Sequence, residues 1–324
     1  MNINIKNLGI VTSGGDSPGM NSAIKSIVNY ANYNNINCIG YKYGYDGIIY
    51  NNYIKLSNNY VKNIIGLGGS IIGCGRSKLF YTKEGRKIVY KNLIYNNIDG
   101  LIVIGGNGTL KGINLFNSEY NFPIIGIPGT IDNDIYGTDV TLGYDTSLNT
   151  IIQSIDKIKD TAISNNRIFI IEVMGKNTGY LALNSGIALN ALYIIYNNKY
   201  NLKKINKILK DNIIKSNIIV VAENKIIGDA AKKIYKRLKK IIKNYEIRYN
   251  ILGHIQRGGS PTYIDRVLGI RLGIESINKL IKFKNNLVLG IKKNKIISIS
   301  FKKAIKKNKK IDKNNIYIFN KFYL

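Results

Sequence analysis

Along this chain, short runs of aliphatic and mostly β-branched residues end abruptly in glycine or a polar residue, and the pattern recurs. NLGIVTSGGDSPG, LIVIGGNGT, PIIGIPGTIDND, RIFIIEVMGKN, NIIVVAEN and YNILGHIQRGG are its instances. Continuous apolar runs of this length suit parallel strands buried on both faces. Segments with helical spacing lie between most of them, such as MNSAIKSIVNYAN after the first. Strand, polar turn and helix in repetition predict an α/β fold with mostly parallel sheets. In such sheets ligands collect beyond the carboxyl ends of the strands. Polar residues end every one of these runs, so a ligand site at the strand tips is expected.

Length and composition set the remaining bounds. A chain of 324 residues is long enough for two domains of ordinary size, and 45% hydrophobic content excludes a disordered chain. The formal charge of +29 resembles a nucleic-acid signature. Lys, Asn, Ile and Tyr are abundant together, however, and all four have AT-rich codons, so drift in base composition accounts for the lysines. The basic residues are also spread along the chain rather than gathered in one arm. No specific nucleic-acid partner is expected, while small phosphorylated ligands gain from the same field. The segment 230–245 carries Ile234, Leu238, Ile241 and Ile242 at helical spacing with lysines opposite, and reads as a surface helix. The two cysteines, Cys38 and Cys74, imply no disulfide framework. The chain enters a strand-like run at once and holds no apolar stretch near the roughly 18 residues that span a bilayer. A cytoplasmic protein without a membrane partner is expected.

Four stretches carry the chemistry. Gly14 to Gly19 follows the first strand and precedes a helix, where glycines admit a phosphate and a helix N-terminus favours an anion. The same residues would also make a tight strand–helix turn, and they match neither common phosphate-loop pattern. Gly105 to Thr109 reads as a second phosphate-cradling turn. In Pro128 to Asp134, the carboxylates Asp132 and Asp134 beside the Thr130 hydroxyl suit one base and one magnesium ligand, or an Asx-rich turn. Gly253 to Gly259 holds the only histidine, His254, next to Arg257. With no second histidine or cysteine nearby, a zinc site or a nucleophilic triad is not expected. Arg76, Arg167 and Arg248 stand near predicted turns or strand starts and could grip phosphate bidentately.

Taken together, GGDSPGMNSAI, GRS around Arg76, GGNGT, PGTIDND, EVMGK, AEN and LGHIQRGGSP closely resemble the bacterial-type ATP-dependent 6-phosphofructokinase family over essentially the whole chain. The resemblance implies two Rossmann-like three-layer α/β/α domains. It puts ATP on residues 1–142 plus about 255–305, and fructose 6-phosphate on 143–254 plus about 306–324. It implies a homotetramer that transfers the γ-phosphoryl group to the sugar's 1-hydroxyl. Asp132 matches the general base, and Thr130, Arg76 and Lys176 match groups beside the transferring phosphoryl. Gly15, Tyr45, Arg76, Ser77, Gly106, Asn107, Gly108 and Thr109 match the nucleotide site, with Tyr45 near adenine. Thr130, Ile131, Asp132, Met174, Gly175, Lys176, Glu223, His254, Ile255, Gln256 and Arg257 match sugar-phosphate contacts. Arg167 and Arg248 match arginines that reach the 6-phosphate from a neighbouring subunit. Asn107 and Asp134 match the Mg2+ positions. Pyrophosphate-using relatives carry Asp where Gly108 stands and Lys where Gly129 stands, so both positions imply ATP.

Three departures qualify the match. Asn107 replaces a magnesium aspartate, and an amide oxygen brings no charge. Lys176 replaces an arginine and loses the bidentate fork. Lys25, Asn29, Asn58 and Lys159 stand where relatives that respond to ADP and phosphoenolpyruvate carry arginines, and Leu192 stands for a glutamate. Lower turnover and weak or absent allosteric control are expected. The alternative is a silent homologue that binds sugar phosphate or nucleotide.

Overall fold

The structure is a computed structural model that describes residues 5–176, 178–197, 200–210, 217–224, 226–243, 245–307 and 309–323. In chain order the first elements are strand β1 (Asn7–Ser13), helix α1 (Met20–Tyr33), β2 (Asn37–Tyr41), α2 (Tyr45–Ile49), β3 (Tyr53–Leu56) and α3 (Lys83–Tyr95). Then come β4 (Gly100–Gly105), α4 (Asn107–Tyr120), β5 (Ile124–Pro128), α5 (Tyr144–Ser164), β6 (Arg167–Val173), α6 (Tyr180–Ala188) and β7 (Tyr193–Ile195). They are followed by α7 (Leu202–Lys210), β8 (Ile218–Ala222), α8 (Asp229–Ile241), β9 (Glu246–Ile251) and α9 (Tyr263–Ile281). Strands β10 (Leu287–Lys292) and β11 (Lys295–Ser300) precede α10 (Phe301–Lys306) and α11 (Lys313–Tyr323). Short 3-10 turns occupy Leu79–Tyr81 and Gly253–Arg257. The chain divides into two compact units. The first comprises Met1–Ile131, Ile135–Thr146 and Arg257–Lys309, the second Asp132–Asp134, Ser147–Gln256 and Lys310–Leu324.

The first unit holds a seven-stranded sheet in the order β11-β10-β5-β4-β1-β2-β3. Its central pairs are parallel, and the outer pairs β10–β11 and β2–β3 are antiparallel. Both faces are covered, which is why β4 and β5 are apolar throughout and β1 is apolar from Leu8 to Val11. In β4, Ile102 and Ile104 face a core shared with α1 and α9, through Ala23, Ile24, Ile27, Leu268 and Leu272. Leu101 and Val103 face the opposite core with Leu110, Ile113 and Phe116 of α4 and Val89 and Leu93 of α3. Each such buried aliphatic side chain contributes about 1.5–3 kcal/mol. Helices α1 and α9 pack through small residues. A Cβ on Gly273 would meet Ser26 Oγ at 1.9 Å, so that glycine sets how closely the two helices approach.

The chain leaves β1 toward β2 on one side and returns to β4 on the other. The crevice between β1 and β4 is therefore the topological switch point, where ligands of open α/β sheets bind.

The second unit holds a wholly parallel sheet in the order β7-β8-β6-β9. Ile168, Ile170, Ile219 and Val221 pack against Ile205 and Leu209 of α7 and Ile234 and Leu238 of α8. The connection after β6 leads to β7 on one side and that after β8 leads to β9 on the other, so its switch point lies between β6 and β8. Helix α8 is amphipathic as its spacing predicts, with one difference. It ends at Ile241, which is 43% exposed, while Ile242 beyond the end is buried. Toward its C-terminus the chain forms α10 and α11.

Candidate active site

In the first unit, two glycine turns meet at the switch point. Gly14 follows β1 at φ +91°, and Gly19 enters α1 at φ +92°, conformations that cost glycine little. After β4, Gly106 caps α4 through an extended backbone, and among the described residues no side chain caps that helix. Its first turn holds no acidic residue. The first N–H groups of α4 are thus left for an anion. Thr109 Oγ1 donates to Ser13 O at 2.8 Å and locks the two strand tips together. A Cβ on Gly105 would stand 2.4 Å from Ser13 O, so this approach tolerates no side chain there.

Neighbouring residues complete a cationic rim. Gly75 pairs with Ser13 in an isolated bridge and accepts from Gly14 N at 2.9 Å, which places Arg76 beside the first turn. Arg76 is exposed and has no hydrogen-bond or ion-pair partner among the described residues. Ser77 is buried and its hydroxyl accepts from Phe80 N at 3.1 Å. The Arg257 guanidinium lies against Gly15, its Nη1 3.2 Å from where a Cβ would stand. Tyr45 is buried beneath the second turn. Its ring stacks on Phe80 at 3.8 Å, and its hydroxyl donates to Thr109 O at 2.9 Å. Burial pushes that phenol well above its ordinary pKa. Beyond β5, Thr130 N donates to Leu142 O, and Thr130 lies over Gly106. Ile131 is buried. A Cβ on Gly129 would meet Ile104 Cγ2 at 2.9 Å and Met20 Cε at 3.0 Å, so position 129 has no room for a longer side chain.

In the second unit, the strand tips carry the other set. Asp132 is partly exposed, and its carbonyl accepts from Thr178 Oγ1 at 3.1 Å. Asn133 takes the left-handed conformation at φ +50°, and Asp134 is buried. Past β6, Met174 is buried and Gly175 turns at φ +97°, leaving Lys176 exposed. Glu223 follows β8, its N–H donating to Val173 O at 2.7 Å. Gln256 is wholly buried. Its Oε1 accepts from Met174 N at 3.0 Å and its Nε2 donates to Gly253 O at 2.9 Å, so it ties the β6 tip to the turn after β9. That leaves His254 and Ile255 exposed.

Arg167 and Arg248 stand apart from this set. Arg167 opens β6 and Met174 follows its end, so a seven-residue strand, roughly 20 Å long, separates them. Both arginines contact Glu246 and hold its carboxyl below the usual carboxylate range, Arg167 first and Arg248 second.

Sequence reasoning passed over Glu246 and two buried carboxylates. Asp265 accepts from Gly143 N (2.7 Å), Thr146 N (2.8 Å) and Thr146 Oγ1 (2.6 Å). The Thr262-to-Asp265 spacing, a capping-box signature, was the signal available for it. Glu172 accepts from Gly228 N and Ala231 N and so caps α8. No sequence pattern marks that contact.

Among the described residues no group of three or more His, Cys, Asp or Glu could hold a metal alone. A site with one or two oxygen donors still suits magnesium, which keeps its waters and takes further ligands from a bound phosphate. A cavity of about 460 Å³ opens at the opposite, strand-start end of the first sheet, lined by Asn7, Asn37, Cys38 and Ile98, away from the helix N-termini. Cys38 there is no nucleophile, since burial pushes its thiol to about 12.

The family model described as Phosphofructokinase matches residues 7–280. The chain is 43% identical over 318 residues to the ATP-dependent 6-phosphofructokinase 2 of Bacteroides thetaiotaomicron, covering 97% of each. It is 44% identical over 313 residues to the ATP-dependent 6-phosphofructokinase of Oceanobacillus iheyensis, covering 95% of this chain and 97% of that one. Among solved structures, phosphofructokinase from Saccharomyces cerevisiae superposes with a TM-score of 0.85 at 30% identity. That match covers 98% of this chain and 47% of the yeast chain, so this chain spans about half the yeast length.

Proposed function

The chain belongs to the phosphofructokinase family, and from that premise we propose that it transfers the γ-phosphoryl group of ATP to the 1-hydroxyl of fructose 6-phosphate. The product is fructose 1,6-bisphosphate, and the reaction is a step of glycolysis. The observation that carries this reading is the meeting of two glycine turns and an uncapped helix at the switch point of the first sheet. Such a place is made for a phosphate chain. The first unit takes the nucleotide, and most of the sugar-phosphate residues belong to the second.

Phosphoryl transfer of this kind rests on positioning and charge stabilisation. The N-terminus of α4, with Gly106, Asn107, Gly108 and Thr109, receives the phosphates, and Arg76 adds a cation. Gly15 and Ser77 shape the adjoining turn, and Tyr45 supports the second turn from beneath. Asp132 takes the proton of the attacking hydroxyl. Thr130 and Lys176 match the family's groups that act on the transferring phosphoryl. Met174, Gly175, Glu223, His254, Ile255 and Arg257 hold the sugar, and Gln256 fixes the backbone that presents them. Asn107, through its amide oxygen, and Asp134 match the family's metal positions and are the residues that would donate to magnesium. When bound, the ion neutralises charge on the phosphates. One carboxylate in place of two, and Lys176 in place of a fork, lower turnover.

Arg167 and Arg248 reach the 6-phosphate of a sugar bound by a second copy, within a homotetramer. Their separation from Met174 along β6 supports this, because one ligand cannot meet both ends of the strand. The protein works in the cytoplasm. Among the described residues no helix is long and apolar enough to cross a membrane. A silent binding homologue is not favoured, because the base Asp132 and the sugar set are intact.

The test is a coupled assay of fructose 1,6-bisphosphate formation with magnesium titrated widely and ATP exchanged for pyrophosphate. Turnover with ATP alone is expected, abolished in Asp132→Asn. Sugar-phosphate binding without product at any magnesium level would support the silent reading instead.

A further inference from the structure

Glu246, the first residue of β9, shares its carboxylate between two guanidinium groups. Oε2 accepts from Arg167 Nε at 2.6 Å. Oε1 accepts from Arg248 Nε at 2.7 Å and lies 2.6 Å from Arg248 Nη2. The register of the sheet builds this cluster. Arg167 and Glu246 are partners in the parallel β6–β9 pair, and Arg248, two residues on, returns to the same face. All three side chains are open to water, with 27%, 50% and 52% of their areas exposed for Arg167, Glu246 and Arg248.

Ion pairs this exposed contribute little to stability. Their effect is on orientation. Glu246 grips each arginine from its inner Nε side. Among the described residues no acceptor meets Arg167 Nη1 or Nη2, or Arg248 Nη1. Without the carboxylate, two neighbouring cations on long side chains would repel each other and spread over many rotamers. With it, both planar forks are aligned in advance and keep free N–H groups for one incoming anion. The cost is repulsion between that anion and the carboxylate, and the alignment has to outweigh it.

We propose that Glu246 is a positioning residue for substrate, holding Arg167 and Arg248 as a single receiver for the 6-phosphate of a sugar bound by a second copy of the chain. The proposal rests on the reading above that these arginines meet that phosphate.

Steady-state kinetics of the full chain test it, using Glu246→Gln, Glu246→Asp, Arg167→Ala, Arg248→Ala and the double variant Arg167→Ala with Glu246→Gln. In Glu246→Gln the KM for fructose 6-phosphate should rise roughly threefold to thirtyfold, since two exposed pairs are lost together. The kcat, the KM for ATP and the thermal midpoint should stay near wild type. Glu246→Asp, with its charge kept and its reach shortened, should fall between. Adding Glu246→Gln to Arg167→Ala should raise KM by less than it does alone, because the residues act as a unit. An unchanged or lower KM in Glu246→Gln, with both arginine variants still impaired, overturns the role of Glu246 alone. Arginine variants with unchanged KM overturn the underlying reading and the proposal with it.

Discussion

Arg86→Met is the perturbation that tests how the nucleotide turn is supported. The Arg86 side chain is nearly buried and forks onto Glu119, with Nε to Oε2 at 2.7 Å and Nη2 to Oε1 at 2.6 Å. Its Nη1 donates to Phe80 O at 3.1 Å and Tyr81 O at 2.9 Å. Those two residues back the turn. Phe80 carries the stacked Tyr45 ring, whose hydroxyl holds Thr109 O, and Tyr81 donates to Gly108 O at 3.4 Å. Methionine fills similar space but leaves two carbonyls and a carboxylate without their donors. Breaking a buried ion pair costs about 3–5 kcal/mol. Glu119, 28% exposed, can rehydrate, which reduces the expected loss to about 2–4 kcal/mol. For a unit of this size that lowers the melting midpoint by roughly 5–15 °C. The pair also has a pH signature. Arg86 lowers the Glu119 pKa, so its contribution is present above the carboxylate's unfolded pKa. It is lost as pH falls through the lowered folded value. Thermal and urea melts should therefore show wild type and Arg86→Met converging in acid. The KM for ATP should rise several-fold while the KM for fructose 6-phosphate moves less. A variant within about 0.5 kcal/mol of wild type, the ordinary range for surface changes, would refute the energetic argument. A destabilised variant with an unchanged KM for ATP would refute the link to the turn.

Four further outcomes are expected. Asn107→Asp puts a carboxylate into an α4 first turn that has none, which should stabilise the helix by about 0.3–1 kcal/mol. The same change should lower the magnesium needed for half-maximal rate, and melts with magnesium titrations read both effects. Gly129→Lys forces a Cβ to 2.9 Å from Ile104 Cγ2, so it should lose about 1–3 kcal/mol by overpacking and gain no pyrophosphate activity in a donor-exchange assay. Burial raises Asp265 to about 6 against its three hydrogen bonds, so the folded state binds the extra proton. Stability should then rise by up to about 3 kcal/mol as pH falls from above 6 toward 4, and Asp265→Asn should flatten that slope in denaturant titrations. Lys25 and Lys159 donate to the carbonyls of Lys62 and Leu189. ADP or phosphoenolpyruvate should accordingly shift the fructose 6-phosphate saturation curve less than about twofold, well under a typical allosteric coupling.

The fold class and the polar turns that end the strands were legible in the sequence, because both are local. A strand covered on two faces must be apolar at every position, as Leu101 to Ile104 are, and a left-handed turn selects glycine, as at Gly14 and Gly175. The candidate residues could be named from their motifs for the same reason, since each motif is a strand end with the turn that follows it. Roles that depend on what lies across the fold were not legible. Gln256 reads like its neighbours His254 and Arg257, yet it alone is buried, because Met174 N and Gly253 O take its amide. Arg167 sits in the same run as Met174, yet the length of β6 puts them at opposite ends of the sheet. Glu246 acquires its two partners only when β9 pairs beside β6 in that register. Strand order, and with it the switch point between β1 and β4, belongs to the tertiary structure for the same physical reason. Local pattern says which faces a strand must bury, but only packing of the whole chain decides which strand lies beside it.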